Sequence, residues 1–167
     1  MRPLIGIIMG SDSDLPIMTE TARQLKQFGI PFEIEISSAH RSPIPTAEYA
    51  RTAIARGLKA IIVGAGGAAH LAGVVAAETI LPVIGVPIDS SPLSGIDSLL
   101  STVQMPGGVP VGTMAVGKAG AVNAAIFAAQ ILATHDPEIA KQLSQFKENL
   151  AQKVREKSEH VKKTFSV

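Results

Sequence analysis

Apolar residues in this chain fall into short runs that end in small polar or glycine-rich turns, and the runs alternate with stretches of helical spacing. Leu4–Met9 is such a run, and it stops at Gly10-Ser11-Asp12-Ser13-Asp14. Leu15-Pro16 then opens a helix to about Phe28, with Asp14 as a possible cap, proline in the first turn and Gly29 at the end. Phe32–Ser37 predicts a second strand, and Thr46–Arg56 a second helix ended by Gly57. Ala60–Val63 is wholly apolar, which predicts a strand buried on both faces. It runs into Gly64-Ala65-Gly66-Gly67-Ala68-Ala69-His70, expected to be a loop.

Beyond that loop the pattern predicts a short helix at about Leu71–Thr79, a strand at Pro82–Val86 and a helix at Ile96–Gln104. Met105–Pro110 holds too much Gly and Pro to be anything but loop. Val111–Val116 is a fifth strand, and Gly117-Lys118-Ala119-Gly120 starts an Ala-rich helix that reaches about Thr134. Strands alternating with helices through short connections predict an α/β fold. The expected form is a three-layer, doubly wound, flavodoxin-like parallel sheet of about five strands. No linker, repeat or low-complexity segment interrupts 1–167, so a single domain is expected.

Asp136-Pro137 starts a last helix that stands apart. Ile139, Leu143, Phe146, Leu150, Val154, Val161 and Phe165 recur on one stripe of an otherwise polar stretch. Four earlier helices already suffice to cover a doubly wound sheet. Residues 136–167 are therefore expected to lie partly in subunit contacts.

Composition narrows the picture. Of 167 residues, 46% are hydrophobic, 17% charged and 4% aromatic, with no Trp, so the core is built from Ala, Val, Ile and Leu. Fifteen Lys/Arg against fourteen Asp/Glu give a net charge of +1, with no case for nucleic acid or a membrane surface as partner. The excess of Lys and Arg in 138–167 reads as a solvated helix face in preference to a basic binding patch. The absence of Cys excludes disulfides, thiolate metal sites and Cys nucleophiles. Ala60–Ile88 could pass for a membrane span, but its glycines and prolines resolve it into strand, loop, helix and strand. Met1-Arg2-Pro3 leads straight into a strand, so no signal peptide is expected and a cytoplasmic location is.

Three segments could carry chemistry. Ser38-Ala39-His40-Arg41 joins the second strand to a Pro-bounded helix start, at the strand's carboxyl end, where open parallel sheets bind ligands. His40 can move protons near neutral pH, and Arg41 can hold a phosphate or carboxylate by two parallel hydrogen bonds. Gly10–Asp14 offers helix-start N–H groups and the hydroxyls of Ser11 and Ser13 to an anion, and Asp14 suits ribose hydroxyls. The same spacing is equally that of an N-cap box with no ligand. It is not G-x-G-x-x-G and has no P-loop Lys, which argues against an ordinary dinucleotide or ATP site. Gly64–His70 would suit a flat, nearly neutral ligand touching backbone, or else close helix–sheet packing. His70, at an apolar helix start, reads as structural or capping in preference to catalytic. His135 and His160 read as surface residues. No HxH or HxxE pair supports a metal site.

Five segments together resemble one family. They are Gly10-Ser11-x-Ser13-Asp14, Ser38-Ala39-His40-Arg41, Gly64-Ala65-Gly66-Gly67-Ala68-Ala69-His70-Leu71, Pro82-Val83-Ile84-Gly85-Val86-Pro87 and Ser98-Leu99-Leu100-Ser101-x-Val103-Gln104-Met105-Pro106. Their order is that of the PurE family of purine biosynthesis, over nearly the whole chain from Ile5 to about Asp136. The family has a mutase branch, acting on N5-carboxyaminoimidazole ribonucleotide, and a carboxylase branch that takes free CO2. Arg41, where the carboxylases commonly have Lys, and the Gly66–Leu71 sequence are similar to the mutases. Ala72 departs from the family's usual Pro.

The resemblance implies roles. Ser11, Ser38 and Arg41 would hold the 5′-phosphate, and Asp14 the ribose hydroxyls. The backbone of Gly64, Ala65, Gly66, Gly67 and Ala68 would face the imidazole and carboxylate, with His70 nearby and Ser13 in the same turn. His40 would be the general acid and base, and the Met105-Pro106 loop a lid. The implied chemistry closes its own proton cycle, so neither a metal nor a cofactor is expected. The resemblance also implies a homo-octamer with sites shared between subunits, and functional coupling to an ATP-dependent N5-carboxyaminoimidazole ribonucleotide synthetase. A receiver domain is a poor alternative, because the third strand ends without an Asp; a flavin module would want aromatic stacking that one Tyr and no Trp do not offer.

Overall fold

A computed structural model describes residues 2–165, and these divide into two compact units, up to Ala128 and from Ala129. The first unit holds a parallel sheet of five strands: β1 (Ile5–Met9), β2 (Phe32–Ile36), β3 (Ala60–Gly66), β4 (Val83–Ile88) and β5 (Gly112–Thr113). Its helices are α1 (Leu15–Gln27), α2 (Pro43–Arg56), α3 (Leu71–Glu78), α4 (Ile96–Val103) and the first part of α5 (Lys118–Ala133). The strand order β2-β1-β3-β4-β5 is that of a flavodoxin-like fold.

The apolar runs become strands because both faces of the sheet are covered. β1 and β4 are buried throughout, and β3 up to its last residue. On one face Ile8, Ile61, Val63 and Val83 pack with Tyr49, Ala50 and Ala53 of α2 and with Leu71, Ala72 and Val75 of α3. On the other, α1 sets Met18 against β3, and its Thr21 hydroxyl donates to the Ala121 carbonyl of α5 at 2.9 Å. Small residues make this closeness possible: Ala121, Ala124, Ala125 and Ala128 of α5 are all buried. The segment Ala60–Ile88 is strand, helix and strand as expected, and among the described residues no helix is long and apolar enough to cross a membrane.

Three expectations need correction. Gly64, Ala65 and Gly66 are not loop: they extend β3 and pair with Val86, Pro87 and Ile88. α2 starts at Pro43 rather than Thr46, since proline at the first helical positions costs no hydrogen bond. β2 forms as expected, and as an edge strand it leaves Ile34 and Ile36 exposed. β5 keeps only two residues of the expected Val111–Val116. The Gly85 carbonyl accepts from Met114 N–H and the Pro87 carbonyl from Gly117 N–H, so three residues advance where β4 advances two and the regular ladder ends.

In the second unit, α6 (Pro137–Phe165) begins where expected, with the Asp136 carboxylate accepting from Glu138 N–H at 3.0 Å and Ile139 N–H at 3.2 Å. Ile139 and Leu143 are buried, while Leu150, Val154, Val161 and Phe165 of the same stripe are exposed. His135 and His160 are exposed, as expected.

Candidate active site

β1 lies between β2 and β3, so the chain leaving its carboxyl end and that leaving β3 diverge, and the sheet opens a crevice there. A cavity of about 410 Å³ fills it. Its walls come from the turn after β1 (Gly10, Ser11, Ser13, Asp14), the loop after β2 (Ser38, Ala39, His40, Arg41), the end of β3 with the start of α3 (Ala65, Gly66, Ala68, His70, Leu71) and Ser90 after β4.

The loop after β2 is held from below. The buried hydroxyls of Ser37 and Thr46 lie 2.7 Å apart, Thr46 donates to the Ser42 carbonyl at 2.9 Å, and Ser42 donates by its N–H to the Ser38 carbonyl at 2.8 Å and by its hydroxyl at 3.1 Å. Those bonds fix the loop while His40 and Arg41 stay exposed at its crest. Arg41 donates Nε–H to Ser38 Oγ and Nη2–H to the Gly10 carbonyl, both at 3.4 Å. These bonds are long, so an incoming anion can compete for the guanidinium. Gly10, Ser11, Ser38 and Arg41 also line a second cavity of about 360 Å³, which puts the guanidinium on the wall common to both.

The turn after β1 realises the N-cap box. Ser13 N–H donates to Ser11 Oγ at 3.3 Å, and Ser11 N–H donates to Asp14 Oδ2 at 3.1 Å. Asp14 thus serves the short 3-10 turn Asp12–Asp14 and forms no side-chain cap on α1, contrary to the sequence expectation. Only 3% of it is exposed. Burial pushes its carboxyl pKa up, against the lowering effect of the Ser11 and Gly10 backbone bonds, and nearby Asp12 adds to the rise.

His40 and His70 meet across the cavity. His40 Nε2 and His70 Nδ1 are 2.9 Å apart, with ring centroids 5.0 Å apart and planes at 88°. One ring donates a single proton to the other. His70 sits at the N-cap position of α3 but makes no side-chain cap bond and is exposed, so the capping role expected for it is not realised.

The remaining sequence candidates divide. Ala65, Gly66 and Ala68 line the cavity, whereas Gly64 and Gly67 do not. Gly64 serves packing, because a Cβ there would meet Met18 Sδ; Gly67, at φ +58°, makes the left-handed turn out of β3. Met105 and Pro106 do not line the cavity either. Met105 is half-buried over Gly73 of α3, where an added Cβ would lie 2.7 Å from its Cε. Gly10, Ala39 and Leu71, which belong to the motifs but were given no role, also line the cavity, and sequence reasoning missed Ser90. Ser90 was findable as a polar residue just past the carboxyl end of a strand beside the crevice. A larger cavity, about 450 Å³, lies between β2 and α2, but its Arg56 is already paired with Glu33 at 3.1 Å and stacked 4.4 Å from the centroid of the Tyr49 ring.

Fold and site together define an α/β protein with a polar crevice at the switch point of its sheet, lined by anion donors and a histidine pair. A family model described as AIR carboxylase matches residues 4–153. The N5-carboxyaminoimidazole ribonucleotide mutase of Pyrococcus horikoshii is 55% identical over 160 residues, 96% of this chain and 89% of that one. The mutase of the same name from Bacillus subtilis is 55% identical over 161 residues, 96% of this chain and 99% of that one. The crystal structure of Treponema denticola PurE superposes with a TM-score of 0.87 at 32% identity, covering 96% of this chain and 99% of that one. The chain belongs to the AIR carboxylase family.

The raised pKa of Asp14 has a measurable consequence. A carboxyl whose pKa rises on folding binds its proton more tightly in the native chain than in the unfolded one. Its protonated form therefore favours folding at low pH, and that advantage is lost as pH climbs from the unfolded pKa to the folded one. The stability of the wild type minus that of Asp14→Asn, from urea unfolding at several pH values, should fall across the acidic range and level off once the carboxyl is fully ionised. A difference independent of pH would contradict the burial argument.

Proposed function

We propose that this chain is a mutase that moves the carboxyl group of N5-carboxyaminoimidazole ribonucleotide from the exocyclic N5 to ring carbon C4, a step of purine biosynthesis. The observation that carries the proposal is His40, paired with His70 over a crevice also lined by Ser11, Ser38 and Arg41. The mutase rather than carboxylase assignment is supported by Arg41, by the Gly66–Leu71 sequence and by relatives named as mutases that are 55% identical over nearly the full length.

Ser11, Ser38 and Arg41 hold the 5′-phosphate in this scheme, with Ser13 in the same turn. Asp14 Oδ2 already accepts the Ser11 N–H, and its cavity-facing side accepts from the ribose hydroxyls. The ring and its carboxyl group then lie towards Ala65, Gly66 and Ala68, below the histidine pair. The N5–carboxyl bond breaks, leaving CO2, and His40 gives its proton to N5. The electron-rich C4 attacks the retained CO2 to form the new C–C bond. His40 then takes the C4 proton, which restores the aromatic ring and returns the histidine to its first state. His40 gives one proton to N5 and takes another from C4, so the cycle is balanced without a redox partner. In the free chain His40 Nε2 is engaged by His70, and this contact holds the ring over the cavity until substrate displaces it.

CO2 retention requires a closed crevice. The Met105–Pro110 loop serves as a lid in this scheme, either by leaving its seat on Gly73 or by coming from a second copy of the chain. The proposed form is a homo-oligomer, an octamer by family likeness, with the exposed Leu150, Val154, Val161 and Phe165 of α6 in its contacts. The carbamate-like substrate would come from an ATP-dependent synthetase, and the proposed location is the cytoplasm.

Two substitutions split binding from chemistry. His40→Asn should still bind the ribonucleotide but lose turnover by about 10²–10⁴-fold or more, since the proton is needed twice. Near wild-type activity would overturn the mechanism. Arg41→Ala should act mainly on KM, raising it by roughly tenfold or more through the lost charged hydrogen bonds. A KM equal to wild type would rule out a phosphate role. Assay with the N5-carboxylated substrate, and separately with aminoimidazole ribonucleotide plus bicarbonate, distinguishes mutase from carboxylase.

A further inference from the structure

We propose that the Ser90 hydroxyl holds the migrating carboxyl group, donating a hydrogen bond to it before and after its transfer; this rests on the mutase scheme above. The strand order sets the direction of the bound nucleotide. Ser38 and Arg41 follow β2, Ser11 follows β1, Gly66 ends β3 and Ser90 follows β4. Neighbouring strands lie about 4.8 Å apart, so the cavity reaches roughly 14 Å from the loop after β2 to the loop after β4. With the phosphate fixed at the β2 and β1 end, the ring and its carboxyl group extend towards β3 and β4.

At that end the wall has few polar side chains. Ala65, Gly66, Ala68 and Leu71 offer none, and besides His70, whose ring pairs with His40 in the free chain, the wall there offers Ser90. Ser90 is exposed to the cavity, and among the described residues its hydroxyl has no hydrogen-bond partner. Its position is constrained by the end of β3. A Cβ on Gly66 would meet Ser90 Oγ, and would lie 3.1 Å from Ser90 Cβ and 3.3 Å from the Ile88 carbonyl oxygen. Glycine at 66 is what leaves room for the hydroxyl at the cavity wall. An ionised carboxylate only accepts hydrogen bonds, and a serine hydroxyl is free to donate one. Such a donor orients the carboxylate on N5, stays beside the neutral CO2 while it is unattached, and receives the carboxylate again on C4. No bond to Ser90 forms or breaks.

The test compares wild type, Ser90→Ala and Ser90→Thr as full-length enzymes on the N5-carboxylated ribonucleotide. The readouts are kcat, KM, the thermal midpoint, and the ratio of C4-carboxylated product to decarboxylated aminoimidazole ribonucleotide. Ser90→Ala should raise KM about tenfold, since the lost bond is made to the bound substrate, and should shift the ratio towards the decarboxylated product. Ser90→Thr, which keeps the hydroxyl, should restore the ratio. A Ser90→Ala enzyme with the wild-type ratio overturns the inference. So does a loss shared equally by the Ala and Thr variants together with a lowered thermal midpoint, which would make Ser90 a packing residue. A wild type that converts only aminoimidazole ribonucleotide plus bicarbonate overturns the mutase scheme and this inference with it.

Discussion

β1 pairs on both sides in parallel, with β2 along one edge and β3 along the other, and this double pairing is the constraint from which the site follows. A strand so flanked sends its outgoing turn into a gap, because the connections from its own end and from β3 leave on opposite faces. The Ser11–Asp14 turn, the Ser38–Arg41 loop, the glycine-rich end of β3 and Ser90 all border that gap. The central strands β1, β3 and β4 below are apolar and almost wholly buried, so they can hold the polar loop ends in fixed register without supplying any chemistry themselves.

Side chains in the crevice split into those that hold the loops and those left free to act. Ser37, Ser42 and Thr46 spend their hydroxyls on the loop after β2, and Asp14 spends one carboxylate oxygen on the turn after β1. Burial makes that carboxylate costly to ionise, yet it also keeps the turn from collapsing. Arg41, His40 and Ser90 keep exposed polar atoms facing the cavity. In the proposed scheme these atoms serve a ligand with an anionic end, a sugar and a flat ring, and the imidazole of His40 carries the proton chemistry.

Much of this was legible in the sequence, and the exceptions have physical causes. β1 and β4 were readable because burial on both faces demands unbroken apolar runs, and the loop-end residues Ser38 and Arg41 followed from their place after a strand. The end of β3 was misread because Gly64-Ala65-Gly66 has loop composition; only its pairing with Val86–Ile88 makes it strand, and only the approach of Met18 and Ser90 explains the glycines. β5 was overextended since nothing local announces that the chain slips a residue against β4. The contact of His40 with His70 joins residues thirty apart and depends on how two loops face each other across the crevice, which local pattern does not encode. Ser90 was overlooked because it lies just past the Pro82–Pro87 motif, although its place after β4 beside the crevice was readable.

In the proposed scheme the crevice binds a ribonucleotide with its phosphate at Ser11, Ser38 and Arg41 and its ring beneath His40. A crystal structure of the full-length protein with the C4-carboxylated ribonucleotide bound is the decisive test. The phosphate should lie within hydrogen-bond distance of the Arg41 guanidinium, with an imidazole nitrogen of His40 about 3 Å from N5 or C4. A nucleotide bound in the opposite direction, or one whose ring lies out of reach of His40, would contradict it.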